Sequence, residues 1–464
     1  MTESNIQHVP WSTLIQEGHL SRLLLLSFGV WLYAADSTLV ATVMPVAVED
    51  IGGVPFLSWS YTLYQLGSVV TGAIASIIVI RTGIAKAQIF AGILYVIGCT
   101  LSGYAPDMPI MIFGRLLQGM GGGGLVSLAF IGASTLFPKK LWIRIIAVIS
   151  GVWGTSSLCG PLIGGYFVAD GNWRWAFWFF AAQGLVVVLV APPLLRRKFQ
   201  SQKEYTKTMP LARLGILGIA VLSICQAGVV NTTGISSILF VSGVVLLLFF
   251  FKKDAESENR IFPSGILNPR TISGSGLLMI SSLFMATISL TVYGPLLMYI
   301  IFGAGPLIAG YIIALESLGW TVMAICTSGV RNHIEPRLIR LGAIFVSSAM
   351  VGLIYAMPKG PLWLIAVLST FMGMGFGMSW SFVSKRIIAN SPETERAKTS
   401  GSIPTFMRMA MALGSAISGI IANFSGFSEE SSATVARNVA FWCFAAFVPL
   451  MLVGLFFAWR VSRN

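Results

Sequence analysis

Residues 214–251 read LGILGIAVLSICQAGVVNTTGISSILFVSGVVLLLFFF, with no charged side chain between Arg213 and Lys252. As one helix this stretch would be about 57 Å long at 1.5 Å per residue. The hydrocarbon core of a bilayer is only about 30 Å thick. Asn231-Thr232-Thr233-Gly234 lies near its middle and has the composition of a turn. A hairpin of two short helices, 212–230 and 235–251, therefore fits better than one long span. Both of its ends are basic and then lie on one side. This reading raises the number of crossings from twelve to fourteen.

The rest of the chain agrees in character. Of its 464 residues 55% are hydrophobic and 10% charged, where soluble globular proteins carry about 25% charged residues. A water-soluble enzyme and a disordered chain are both excluded. Runs long enough to span a membrane occur at approximately 21–47, 57–80, 86–104, 108–136, 143–168, 174–195, 273–299, 306–329, 338–357, 361–383, 401–424 and 437–460. With the hairpin they predict an all-α membrane protein of fourteen transmembrane helices. The first twenty residues are polar and hold no cleavable signal pattern, so the first helix is expected to act as an uncleaved insertion signal.

Charge placement tests the count independently, because loops on the cytoplasmic side are enriched in Lys and Arg. Fourteen spans put both termini on one side. That side then holds Arg81/Lys86, Lys139/Lys140/Arg144, Arg196/Arg197/Lys198, Lys252/Lys253, Arg331/Arg337/Arg340 and Lys385/Arg386. The opposite loops hold Arg174, Lys359 and Arg437, and Arg115 and Arg408 fall inside helices. Both termini are thus expected in the cytoplasm, in a multi-pass protein of the plasma (inner) membrane. The net charge of +13 is explained by topology, so no nucleic acid partner is expected. The five cysteines lie singly in different apolar runs and the three histidines lie outside them. Neither a metal site nor a cofactor is expected.

The polar stretch 196–212 reads as a cytoplasmic linker. It divides the chain into an N-terminal six-helix bundle (1–195), the linker, an inserted helical hairpin (213–251) and a C-terminal six-helix bundle (252–464). The halves are faintly self-similar: Gly119-Met120-Gly121-Gly122-Gly123 in the fourth helix resembles Gly373-Met374-Gly375-Phe376-Gly377 in the twelfth. Repeated halves around a central site are a common transporter design.

Two acids fall well inside apolar runs, Asp36 in helix 1 and Glu316 in helix 10. Charge in lipid is costly and marks protein-lined cavities or ion pairs. Counting from the flanking loops places Asp36 roughly 21 Å from the inner face, Glu316 roughly 16 Å and Arg115 roughly 12 Å from the outer face. All three are expected near mid-membrane, sharing one central cavity. One reading makes them a proton- or substrate-coupling site, since desolvation and a nearby arginine act on a carboxyl in opposite directions; the other makes them a structural ion pair. Gln65, Gln118, Tyr64, Trp320 and Arg408 are candidates for the substrate cavity, with snorkelling to the interface the alternative for Arg408.

The run Gly119–Gly124 matches GxGxxG literally, but it follows no strand and sits within a helix, so a dinucleotide site is discounted. Small residues let helices approach closely in lipid, and Gly160-Pro161-Leu162-Ile163-Gly164-Gly165 is read the same way. No Gly-rich loop carries the lysine of an ATPase phosphate loop, so energy is expected from an ion gradient.

Gly151-Val152-Trp153-Gly154 followed by Gly160–Gly165 resembles the antiporter motif of helix 5 in the major facilitator superfamily. Asp36-Ser37-Thr38-Leu39-Val40-Ala41-Thr42-Val43-Met44-Pro45 resembles the helix 1 motif of its fourteen-helix drug:proton antiporter group. Gly114-Arg115-Leu116-Leu117-Gln118-Gly119 resembles the helix 4 motif, and Trp173-Arg174-Trp175 is similar to the stretch that follows helix 5 there. The resemblance implies a major-facilitator-type fold. It also implies proton coupling through Asp36 and Arg115, and hinge or packing roles for Gly151, Gly154, Gly160, Pro161, Gly164 and Gly165. In the family's loop between helices 2 and 3, a latch on the cytoplasmic side, Arg81, Gly83 and Lys86 match. Ser76 and Ile80 replace its leading glycine and its acid, so Glu335 in the second-half loop is expected to take part of the latch role. Glu316 departs from the general pattern and implies a subgroup with its own chemistry.

The resulting expectation is a non-enzymatic, proton-coupled secondary transporter, a monomer in the bilayer. It would export small amphipathic compounds by alternating access, as in multidrug efflux. The alternatives are a specific metabolite or siderophore transporter of the same fold and a non-transporting membrane sensor.

Overall fold

A computed structural model describes residues 19–52, 57–169, 171–195, 210–228, 230, 232–427 and 432–463. Most of the 196–212 linker lies outside the described residues. The helices are α1 (His19–Ile51), α2 (Leu57–Thr82), α3 (Ile84–Tyr104), α4 (Met108–Thr135), α5 (Trp142–Ala169), α6 (Trp173–Leu195), α7 (Leu211–Ala227), α8 (Thr233–Glu256), α9 (Ile272–Phe302), α10 (Pro306–Thr327), α11 (Glu335–Lys359), α12 (Leu362–Ala389), α13 (Arg396–Phe424), α14 (Ala433–Ala445) and α15 (Val448–Arg463). Among the described residues thirteen segments are long and apolar enough to cross a membrane, with 433–463 counted as one. That last span is interrupted because Pro449 has no N–H to give to the preceding turn. Helix α7, at 17 residues, spans about 25 Å and falls short of the hydrocarbon thickness, so it is the marginal member of the fourteen.

The hairpin at 214–251 is two helices. Gly243 of α8 lies so close to α7 that a Cβ there would come 2.7 Å from Ile224 and 3.0 Å from the Ala220 carbonyl oxygen. Its basic end is closed by an ion pair between Arg213 and Asp254. Asp254 also accepts the backbone N–H groups of Ile261 and Phe262. Helix α7 packs on α2 and α13, and Asn423 donates to the Val230 carbonyl at 2.7 Å. The hairpin therefore covers the groove where the two six-helix halves meet.

Within each half the glycine run is the packing seam. A Cβ on Gly119 or Gly123 of α4 would lie 2.0 Å from the Tyr64 oxygen and 2.3 Å from Ser68 Cα of α2, while Gly121 abuts Tyr95 of α3. In the second half Gly373 and Gly377 of α12 bear the same relation to Glu316 and Trp320 of α10, and Gly375 abuts Gly342 of α11. The self-similarity of the two runs is thus a repeated backbone-to-backbone contact, and Glu316 occupies the place in its half that Tyr64 occupies in the first.

The halves meet toward the end that carries the basic loops. Ser134 and Ser400 are hydrogen-bonded at 2.9 Å, Phe130 meets Trp380 edge-on at 6.1 Å, and the Arg396 guanidinium lies 5.8 Å from the Trp142 ring. Nearer the centre Ser157 donates to Ser317 at 3.1 Å. Glu335, expected to serve a latch between halves, pairs instead with Lys385 at 2.6 Å. Both belong to the second half, because Glu335 opens α11 and Lys385 lies in the last turns of the adjacent α12.

A buried charge centre between helices

Arg115 of α4 donates from Nη1 to Asp36 Oδ1 of α1 at 2.8 Å, with both side chains 1% exposed. The same Nη1 reaches Gln118 Oε1 at 3.0 Å. Gln118 in turn accepts from Ser102 at 3.2 Å and donates to Cys99 Sγ at 3.0 Å. One face of α4 makes this network, since Arg115 and Gln118 are three residues apart and side chains at that spacing are neighbours. Asp36 Oδ2 and Arg115 Nε have no hydrogen-bond partner among the described residues.

Two tyrosines extend the centre. The Arg115 guanidinium lies 4.1 Å from the centroid of Tyr64. Tyr64 stacks on Tyr33 at 5.1 Å and donates its hydroxyl to the Tyr33 carbonyl at 2.9 Å. Tyr33 donates to Gln65 at 2.9 Å and meets Trp153 of α5 edge-on at 5.7 Å. Arg408, from α13 of the other half, lies 4.5 Å from the Tyr33 centroid. The structure thus brings together Asp36, Arg115, Gln118, Tyr64, Gln65 and Arg408. Tyr33 went unnoticed in the sequence, although it lies three residues before Asp36 and so shares its helix face.

Glu316 stands apart from the shared cavity expected of it. It is half-buried and has no hydrogen bond or ion pair among the described residues, because α10 is held against α12 and α5. Trp320, one turn on, joins an aromatic cluster of the second half, stacked on Phe376 at 5.2 Å and near Phe284 and Trp380.

The α5 glycines divide by partner. A Cβ on Gly160 or Gly164 would lie 2.0 Å from Thr38 Oγ1 and 2.1 Å from Thr42 Oγ1, both on α1. On Gly154 it would lie 2.0 Å from Thr321 Oγ1 of α10, and Gly151 meets the same threonine at 3.7 Å. Gly165 meets nothing within 4 Å, so it takes no part in packing. Pro161 lies inside the helix. In the loop between α2 and α3, Gly83 has φ +83°, a conformation that glycine adopts without strain. Arg81 lies in the last turn of α2 and Lys86 is exposed on α3. At the opposite end Asp50 accepts from Arg174 and from Trp173 Nε1, and these bonds hold its carboxyl below the usual carboxylate range.

Two six-helix halves with a buried ion pair in one and a seam between them define a membrane carrier. The model of the Major Facilitator Superfamily matches residues 26–382, and the chain belongs to that family of secondary transporters. A probable multidrug-efflux transporter of Mycobacterium tuberculosis is 25% identical, covering 100% of this chain and 99% of its own. Multidrug resistance protein 3 of Bacillus subtilis is 24% identical, over 89% of this chain and 83% of its own. The crystal structure of the human organic anion transporter MFSD10 superposes with a TM-score of 0.70 at 14% identity, over 94% of this chain and 98% of that one, which shows a shared fold. The protein is a multi-pass membrane transporter of small molecules.

Proposed function

We propose that this transporter exports small amphipathic compounds in exchange for protons, and that Asp36 carries the proton. The observation that carries the reading is the Asp36–Arg115 pair, an ionisable couple 1% exposed at the centre of the first half. Protonation of Asp36 removes the charge that holds Arg115. Losing one member of a buried pair typically costs about 3–5 kcal/mol, enough to shift the balance between two packed arrangements. The effect has a route to the other half. Asp36 lies on α1, whose Thr38 and Thr42 are in close contact with Gly160 and Gly164 of α5, and α5 touches α10 through Gly154 and Thr321. The names of the relatives support multidrug-type efflux as the task.

In this reading residues 1–195 and 252–464 are the two moving bundles, 213–251 is an inserted hairpin and 196–212 a cytoplasmic linker. Both termini are cytoplasmic, the protein works as a monomer in the plasma membrane, and Arg81, Gly83 and Lys86 belong to the inner gate. Glu316 serves the second half's own substrate or proton chemistry. The test is a dye panel in proteoliposomes with an imposed pH gradient. Several unrelated dyes should be driven uphill; accumulation of a single solute makes the protein a specific carrier, and no gradient-driven flux of any dye overturns the reading.

A further inference from the structure

Arg408 lies twelve residues into α13 and is 3% exposed. Its Nε, Nη1 and Nη2 all lack a hydrogen-bond partner among the described residues, and no carboxylate there comes within ion-pairing reach. Its contact is the Tyr33 ring, 4.5 Å away. A guanidinium taken out of water needs acceptors, and a ring face replaces only part of them. The nearby acid does not cancel its charge, because Asp36 is engaged by Arg115. The centre therefore carries one positive charge in excess.

A second group points to the same place. A Cβ on Gly72 of α2 would lie 3.0 Å from Ser127 Oγ and 3.6 Å from Arg408 Nη1. Ser127 is fully buried and its hydroxyl is also without a partner among the described residues. Unused donors from α4 and α13, one from each half, thus converge beside a residue with no side chain. The buried, stacked rings of Tyr33 and Tyr64, with Trp153 edge-on, form the aromatic wall next to them. The site lies between α2 and α13, which belong to opposite halves, so it opens whenever the halves part.

We propose that Arg408, with Ser127 beside it, binds the anionic group of the transported compound, so that the protein takes amphipathic organic anions bearing a carboxylate or sulfonate on an aromatic body. A guanidinium presents two parallel N–H bonds to such a group, and closure of the halves over it neutralises the excess charge. This rests on the transport reading above, and the experiment separates the two. Fluorescein and pyronin Y share a xanthene ring and carry opposite charge. Their binding to the purified full-length protein is measured by fluorescence anisotropy for wild type, Arg408→Gln and Arg408→Lys. Wild type should bind fluorescein, and Arg408→Gln should weaken it roughly 10- to 100-fold. Arg408→Lys, which keeps the charge but not the fork, should lose less, and pyronin Y should change less than about twofold.

No binding of fluorescein to wild type, or equal losses for both dyes, overturns the anion site. In proteoliposomes under a pH gradient, uphill flux of pyronin Y without flux of fluorescein also overturns it while leaving the transport reading intact. Arg408-dependent fluorescein binding with no gradient-driven flux of either dye sinks the transport reading and leaves the site standing.

Discussion

Replacing Gly160 with alanine places a Cβ 2.0 Å from Thr38 Oγ1 and 2.8 Å from the Ala35 carbonyl oxygen. Ordinary contact begins near 3.4 Å. The threonine hydroxyl can rotate, but it then gives up its bonds to the carbonyls of Ala35 (3.0 Å) and Ser156 (3.2 Å). The Ala35 oxygen is backbone and cannot turn aside, so α1 and α5 must separate. Overpacking of this kind costs about 1–3 kcal/mol, which corresponds to roughly 5- to 150-fold in an equilibrium. Gly160→Ala should therefore slow transport by about tenfold or more while the protein still inserts, and Gly160→Leu should abolish it. Thr38→Ala in the Gly160→Ala background should restore part of the rate by removing the nearest atom. Gly165, five residues along the same run, is the control: with nothing within 4 Å, Gly165→Ala should be silent within about 0.5 kcal/mol. The assay is initial flux in proteoliposomes, with thermal stability in detergent measured on the same preparations. Equal losses for Gly160→Ala and Gly165→Ala would refute the steric argument.

Three further outcomes are expected. Asp254→Asn should lower the stability of the hairpin by about 3 kcal/mol, because it breaks a largely buried pair with Arg213; unchanged thermal unfolding contradicts this. Bonds from Arg174 and Trp173 lower the Asp50 carboxyl's pKa on folding. Its stabilisation is thus present above the ordinary aspartate pKa of about 3.9 and is lost as pH falls through the lower folded value. Asp50→Asn should remove that part of the acid sensitivity, and an identical acid profile for the variant counts against it. In a cysteine-free background, Arg331→Cys should label from the cytoplasm and Lys359→Cys, at the far end of α11, from outside; the reverse pattern inverts the topology.

The fold was legible because lipid imposes a coarse code: apolar length gives the spans, and a turn-like Asn-Thr-Thr-Gly splits 214–251. The break before Pro449 was not read, since an apolar run looks the same whether or not the helix is continuous through it. The Asp36–Arg115 pair was legible because charges inside apolar runs are scarce and must meet. Glu316 was misplaced for a geometric reason: counting residues from a loop gives height in the bilayer but not direction around the helix axis. The run expected from the sequence, 401–424, puts Arg408 near its start, within reach of the interface. Helix α13 begins earlier, at Arg396, so the guanidinium is deeper than snorkelling reaches. Its partner Tyr33 belongs to another helix in the other half, which no local pattern reveals.

The central claim is that Asp36 carries the coupling proton, and pH-gradient-driven uptake by the Asp36→Asn variant tests it most directly. The amide oxygen can still accept from Arg115 Nη1, which also keeps Gln118 at 3.0 Å, so the variant is expected to insert, at a stability cost of about 3 kcal/mol for the lost buried charge. In reconstituted vesicles it should exchange substrate down its concentration gradient at a rate near wild type and lose accumulation driven by the pH gradient. Wild-type accumulation by Asp36→Asn would contradict the account and reduce the Asp36–Arg115 pair to a structural tie between α1 and α4.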